Sequence, residues 1–552
     1  MEGEFDKRPA ALFRALRTSP RRWLGVLMLA AAATAIPGNG SERALDAHEC
    51  FVARSATEML RERDWVLPRF NGATRLQKPP LNYWAAMGVH ELAGGSAVEP
   101  VGEWDARAAS ILSAVALVAL AYVWAKSWSG DTAVAWLAGM LLAMSNGYLR
   151  WSHSAQPEMT YTASCTLALL GFWRARAAAL AGRSTLRSAA LGWLGVALAV
   201  LSKGPLLPAF LLLGWIVGER CEERGVSLKR TLRPVLGSAI VLALCAPWVA
   251  LIAMRSPEAF AFWRSQMFDR TGGVHGAWWR PFELFYVAAL AKSTAPWSLL
   301  GLWALIWPWR ASGRRTEGAR LLWSLAVVPL VALSFSATPK GYYMLPVLAP
   351  LSLLGAGGLA AMLERSAAGP QARTWLVRGV RVHVLALVLG VALFTGALLL
   401  NGRSPWSEPW VFVLLWLAGA CALEAWSGRL GPLLAAGALL APALALAGLE
   451  FSQRRDLDRS LALRVATAAP EPRPLLVTDA NAQVLVHYAN RCVEYVARAE
   501  LVERIEREPQ ALVLTPSSNW NSLGIAGRVL FEAPGHDQLF VLAEPQLHFG
   551  AH

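Results

Sequence analysis

Apolar residues run in long blocks along this chain, and polar residues collect in the short stretches between them. A run of about 18 or more apolar residues can cross a bilayer as a helix. Read this way, spans fall at about 23–37, 103–127, 130–149, 157–176, 188–202, 204–219, 232–253, 282–308, 318–337, 341–363, 382–401, 408–426 and 430–449, about thirteen in all. Two stretches break the pattern. Residues 39–102 are too polar to span; within them 56–65 reads as a short amphipathic helix lying at the surface, and 81–94 as a short helix beside it. Beyond 450, residues 472–489, 510–520 and 527–544 read as short strands separated by turns, with 497–508 as a helix. The pattern predicts an all-α polytopic membrane domain, 1–450, followed by a small soluble α/β domain, 451–552. No internal repeat and no low-complexity segment interrupts it.

Charge orients this arrangement. The connections 174–187, 220–233, 309–320 and 364–381 are all rich in arginine, as cytoplasmic loops are. Counting spans from a cytoplasmic N-terminus puts all four inside, and puts 39–102 and the tail from 450 outside. The basic stretch 1–22 before the first apolar run fits either an uncleaved first span or a signal peptide, and both place residue 40 outside. The chain is 55% hydrophobic and only 16% charged, which sets it apart from ordinary soluble domains. Its net charge of +14 therefore reflects loop arginines and lysines and does not imply a nucleic-acid partner. The six cysteines show no metal-type spacing; Cys50 and Cys492 fall outside, and a disulfide between them is left open.

The unusual polar residues gather on the outer side. Asp46, His48, Glu49 and Lys78 fall in the first outer loop, His153 and Glu158 in the next connection, and Lys203 in the hairpin "LSKGP". His275 and Arg280 follow in "VHGAWWRPF", and Lys340 and Tyr343 in "SATPKGYYMLP". Together they are expected to line one cavity at the outer interface, since ionisable residues at membrane depth are costly and signal function. Each also has a plain structural reading. Lys203 and Lys340 fit lysines snorkelling from span ends. His48 and His153 fit ordinary surface histidines, and Glu158, after Pro157, fits a first-turn acid complementing the helix dipole. Trp278 and Trp279 fit interfacial belt anchors. Lys78 resists such a reading, because "KPP" is neither a span end nor a helix. Displacement of a lipid-linked phosphate is one chemistry that needs these groups: cations for the leaving phosphate and a carboxylate for the attacking hydroxyl.

The stretch "LDAHECFVARSATEMLRERDWVLPRFNGATRLQKPPLNYW" resembles the first outer loop of polyprenyl-phosphate-dependent glycosyltransferases of the GT-C type, relatives of lipid A aminoarabinose transferase and of protein O-mannosyltransferases. "TEMLRERDW" and "KPPLNYW" carry the likeness, and "LSKGP" and "SATPKGYYMLP" match downstream motifs. The resemblance implies a GT-C fold and an inverting transfer of a sugar from a polyprenyl phosphate to a lipid or protein acceptor, at the periplasmic face of the bacterial inner membrane. It implies that Lys78 and Tyr343 bind the donor phosphate, assisted by Lys203, Arg280 and Lys340, and that Glu158 stands where the family carries Asp.

Two departures stand out. The family's catalytic Asp, beside a Glu, falls on His48 next to Glu49, so Asp46 or Glu49 is expected to take over as the carboxylate. Some relatives hold zinc through a Glu beside the "KPP" lysine and a downstream His. Here that position is Gln77, a poor ligand, so His275 is a weak metal candidate; no cofactor is required, and a divalent metal is left open. A lipid-linked-sugar transporter is the alternative, disfavoured because transporters carry polar groups near the midplane on repeated halves. A catalytically inactive lipid-binding relative is the third reading.

Overall fold

A computed structural model describes residues 16–270, 284–314, 316–336, 338–368, 370–400, 409–425, 436, 453–469, 472–523, 526–535 and 538–546. The chain forms two compact units, one of Met1–Pro37, Ser110–His153 and Pro157–Ala447, the other of Gly38–Ala109, Ser154–Gln156 and Gly448–His552. The sequence reading grouped 39–102 with the membrane domain; here that loop packs with the tail.

The first unit is helical. Among the described residues, Glu103–Ser129, Leu186–Lys203, Leu228–Arg255 and Gly341–Arg365 are long and apolar enough to cross a membrane, and a pair bent by 59°, Thr132–Ala143 and Asn146–Ser152, can be counted as a fifth span. Several expected spans take other forms. The run at 130–149 bends because the Ser145 side chain accepts from the Tyr148 amide and starts a new helix. The run at 282–308 divides into Phe285–Thr294 and Ser298–Ile306 around Pro296, which has no N–H to continue the ladder. The runs near 204–219 and 318–337 appear as Leu206–Cys221 and Ala319–Ser334, each of 16 residues. The span expected at 430–449 lies outside the described residues, apart from Ala436.

The helices Glu158–Leu180 and Leu186–Lys203 form an antiparallel pair with glycines between them. A Cβ at Gly171 would lie 2.3 Å from the Gly192 nitrogen, and one at Gly195 would lie 2.4 Å from the Ala168 nitrogen. The backbones thus approach closely, as small residues permit in lipid. That contact brings the first residue of one helix, Glu158, level with the last residue of the other, Lys203. Nearer the opposite end, Arg176 is not a solvated loop arginine: it is buried, with Nε 2.9 Å from Glu219 and Nη1 3.1 Å from Glu317.

In the second unit, the expected surface helix at 56–65 starts at Ala47 and runs to Glu62. It is packed rather than exposed along most of its length: Glu49, Cys50 and all residues from Val52 to Leu60 are buried. "FNGAT" makes a two-residue hairpin between β1 (Arg69–Phe70) and β2 (Ala73–Thr74), with positive φ at Asn71 and Gly72 as its primed turn requires. The Glu58 carboxylate accepts from both turn amides. The tail contributes a helix, Gln453–Ala468, and a five-stranded mixed sheet. Its strands are β3 (Leu475–Val477), β4 (Glu494–Tyr495), β5 (Leu512–Pro516), β6 (Gly527–Pro534) and β7 (Leu539–Pro545), in the order β4-β3-β5-β7-β6. Alternate residues serve two cores: Leu475, Val477, Leu512 and Leu514 pack on one face, and Leu476, Val513, Val541 and Ala543 on the other. The α/β reading of the tail thus matches, with one change: Ala482–Tyr488, expected in a strand, is a helix. Cys50 is buried and Cys492 exposed, and the disulfide left open between them does not form.

Candidate active site

In the membrane unit, Lys203 ends its helix because Gly204 follows at φ +111°, a conformation that favours glycine, and Pro205 comes next. The Tyr161 hydroxyl donates to the Gly204 carbonyl and fixes this turn. Lys203 Nζ lies 2.7 Å from Glu158 Oε1, and the two side chains are 7% and 3% exposed. The ammonium also lies 4.6 Å from the Tyr342 ring and 4.9 Å from the Tyr343 ring. It is therefore a desolvated cation held by a carboxylate and two aromatic faces, not a lysine snorkelling to water. Among the described residues Glu158 Oε2 is buried with no hydrogen-bond partner, which is costly for a carboxylate oxygen. Tyr342 and Tyr343 stack edge to face in the turn Gly341–Val347. Lys340, just before that turn, is exposed. His153 is not at the surface; its ring nitrogens face the Leu149 and Pro37 carbonyls at 2.7 and 2.9 Å.

In the second unit, "DAHE" is a capping box. Asp46 is the N-cap of Ala47–Glu62, and its Oδ1 accepts from the His48 and Glu49 amides at 2.8 Å each. Glu49 Oε2 in turn accepts from the Asp46 amide. Glu49 is 1% exposed and is gripped by Arg107, with Nε 2.8 Å from Oε1 and Nη2 3.0 Å from Oε2. The Ala155 amide also donates to Oε1. Burial alone would raise the Glu49 pKa, but the Arg107 charge and hydrogen bonds override it, with help from Arg43, and bring it to about 2. A carboxylate held by this many donors anchors the turn to the Arg107 helix. His48 is exposed, and its ring lies 6.4 Å from that of Phe51. Lys78 is half-buried in the bend ahead of the helix Leu81–Leu92, whose N-cap is Pro80. Arg280 and His275 lie outside the described residues.

Arg107 was not singled out in the sequence, although a charge just inside an expected span was a signal for it. It is fully buried and also donates to the carbonyls of Asn39, Arg43 and Ala44, so it ties the loop before Asp46 to the helix after it. The capping box was legible too, as Asp-x-x-Glu.

The sequence profile of the dolichyl-phosphate-mannose-protein mannosyltransferase family matches residues 46–260. An undecaprenyl phosphate-α-4-amino-4-deoxy-L-arabinose arabinosyl transferase of Pseudomonas aeruginosa is 30% identical over 411 residues, which cover 70% of this chain and 69% of that protein. The chain belongs to this family of membrane glycosyltransferases. A relative of the same name from Pseudomonas fluorescens is 29% identical, but the matched stretch covers 64% of this chain and 57% of the relative's length. Among solved structures, ArnT from Cupriavidus metallidurans bound to undecaprenyl phosphate aligns over 95% of this chain and 98% of its own, with a TM-score of 0.72 at 20% identity. The archaeal oligosaccharyltransferase AglB from Archaeoglobus fulgidus aligns over 90% of this chain and 70% of its own, with a TM-score of 0.52 at 12% identity. The GT-C fold of the arabinosyl-transferase family is therefore shared across nearly the whole chain.

Proposed function

We propose that this protein transfers a sugar, with inversion, from a polyprenyl-phosphate donor to a lipid or protein acceptor at the periplasmic face of the bacterial inner membrane. The observation that carries the reading is the buried Lys203–Glu158 pair beneath Tyr342 and Tyr343. The family motifs that carry them support Lys78 and Tyr343 as donor-phosphate ligands, with Lys203, Arg280 and Lys340 in supporting roles. The acceptor oxygen attacks the anomeric carbon as the bond to the phosphate oxygen breaks, and the phosphate leaves on its lipid. Fixed cations stabilise that developing charge. The acceptor's proton goes to a carboxylate. Glu158 Oε2 is the favoured acceptor, because it is buried and has no hydrogen-bond partner among the described residues. Asp46 is the second choice, and Glu49 is the least suited.

The cytoplasmic N-terminus and periplasmic tail read from loop charge belong to the same proposal. Purified protein in nanodiscs, given polyprenyl-phosphate sugars and lipid acceptors, tests it: release of free polyprenyl phosphate coupled to a glycosylated acceptor is expected. Tight binding of the lipid with no turnover on any donor would favour the inactive lipid-binding relative, the reading that His48 in place of Asp supports.

A further inference from the structure

Two further links bracket the Lys203 and Glu158 pair. On one side, the Ser202 hydroxyl donates to the Pro157 carbonyl at 3.4 Å. On the other, the Tyr161 hydroxyl donates to the Gly204 carbonyl at 3.1 Å and accepts from the Leu207 amide at 3.3 Å. Gly204 follows the last residue of the helix Leu186–Lys203, and Leu207 is the second residue of the next helix, Leu206–Cys221. Carbonyls at a helix end and amides at a helix start have no partner within their own helix. One phenol therefore joins both sides of the break beside Lys203. Gly204, at φ +111°, is the soft joint of that break. Tyr161 lies three residues after Glu158 in the helix Glu158–Leu180, so the two share a face. The Tyr161 side chain is buried, and its ring centre is 5.7 Å from Lys203 Nζ, so it forms a third aromatic wall beside Tyr342 and Tyr343.

We infer that Tyr161 is a positioning residue for Lys203: its hydroxyl fixes the glycine break after Lys203 and so sets where the ammonium lies. The inference rests on the proposed supporting role of Lys203 at the donor phosphate. A lysine is a point charge on a flexible four-carbon stem, so the backbone that carries it and the groups around it decide where the charge falls. Here one side of that backbone is tied to Pro157 and the other to Tyr161. Losing the phenol oxygen removes two hydrogen bonds at the glycine joint and leaves the ring in place. Tyr161 thus acts on the donor through Lys203.

The test uses the full-length protein in nanodiscs, with polyprenyl phosphate as the probe, and compares Tyr161→Phe, Lys203→Met and the double variant. Amide hydrogen exchange across 204–209, which includes the Leu207 amide, is expected to quicken about tenfold in Tyr161→Phe, while exchange across 188–198 stays unchanged. Binding of polyprenyl phosphate, read by isothermal titration, should weaken about fivefold in Tyr161→Phe, the scale of a lost neutral hydrogen bond. In the Lys203→Met background the same change should weaken binding by less than about twofold, because the charge that Tyr161 places is gone. A change that only loosened the fold would weaken binding equally in both backgrounds. That outcome would overturn the inference, as would unchanged exchange across 204–209 or wild-type binding in Tyr161→Phe. If Lys203→Met binds polyprenyl phosphate as tightly as wild type, the donor role of Lys203 fails and the positioning role falls with it; faster exchange in Tyr161→Phe would then locate the error in that role and not in the hydrogen bonds.

Discussion

Arg107 holds Glu49 with both edges of its guanidinium, at 2.8 and 3.0 Å, and neither side chain reaches solvent. Removing one partner of such a pair strands the other, typically at about 3–5 kcal/mol, more than the pair itself contributes. Arg107→Met should therefore destabilise the protein severely, seen as a lower melting temperature and rapid exchange across 39–50. Glu49→Gln should also lower the melting temperature, yet leave the transfer rate per folded molecule within about threefold, since a base would cost a hundredfold or more. A hundredfold loss in folded Glu49→Gln would return the catalytic role to Glu49.

Lys203 and Glu158 should respond differently. Lys203→Met removes the cation and should abolish transfer and weaken donor binding. Glu158→Gln keeps the shape and should slow turnover by about a hundredfold or more while the donor still binds. Isothermal titration with polyprenyl phosphate, run beside turnover assays, separates the two. Normal turnover in Glu158→Gln would move the proton acceptor to Asp46, where Asp46→Asn is the next measurement.

Lys78 sits in a bend stiffened by Pro79 and Pro80, outside any helix. Lys78→Ala should abolish transfer while the protein inserts and purifies normally. Lys78→Arg should be tolerated only in part, because a planar fork and a point charge place their donors differently. Near-normal turnover in Lys78→Ala would remove it from the phosphate site.

His487 gives the second unit a pH dependence. Burial, together with the Arg54 charge, lowers its pKa from 6.5 to about 3. Unfolded chain binds a proton that the folded chain refuses between those values, so stability is full above about 6.5 and declines as the pH falls towards 3. Exchange of the amides at 484–489 should quicken over that window in wild type, and the slope should flatten in His487→Gln. Glu49 adds a similar loss at lower pH, between its ordinary 4.5 and about 2.

Orientation can be read with cysteines at two exposed serines, Ser184 and Ser518. In a Cys492→Ser background, an impermeant thiol reagent should label Ser518→Cys from the periplasm and leave Ser184→Cys for the cytoplasmic side. Labelling of both from one side would show the span parity to be wrong.

The sequence by itself determined the membrane class, the α/β tail, the family likeness and the list of polar residues worth testing. These rest on local signals: run length, loop arginines, two-residue alternation and short motifs such as "KPPLNYW". What each polar residue lies against was decided by tertiary structure. Asp46 and Glu49 look alike as carboxylates in the sequence, but Arg107, 58 residues beyond Glu49, occupies Glu49 from the far side. Glu158 and Lys203 are 45 residues apart and meet only because glycines let two helices close up. Leu45 and Tyr488 are 443 residues apart and share one hydrogen bond. Local periodicity reports which face of an element is apolar; it carries no record of which distant charge or hydroxyl comes to lie against it.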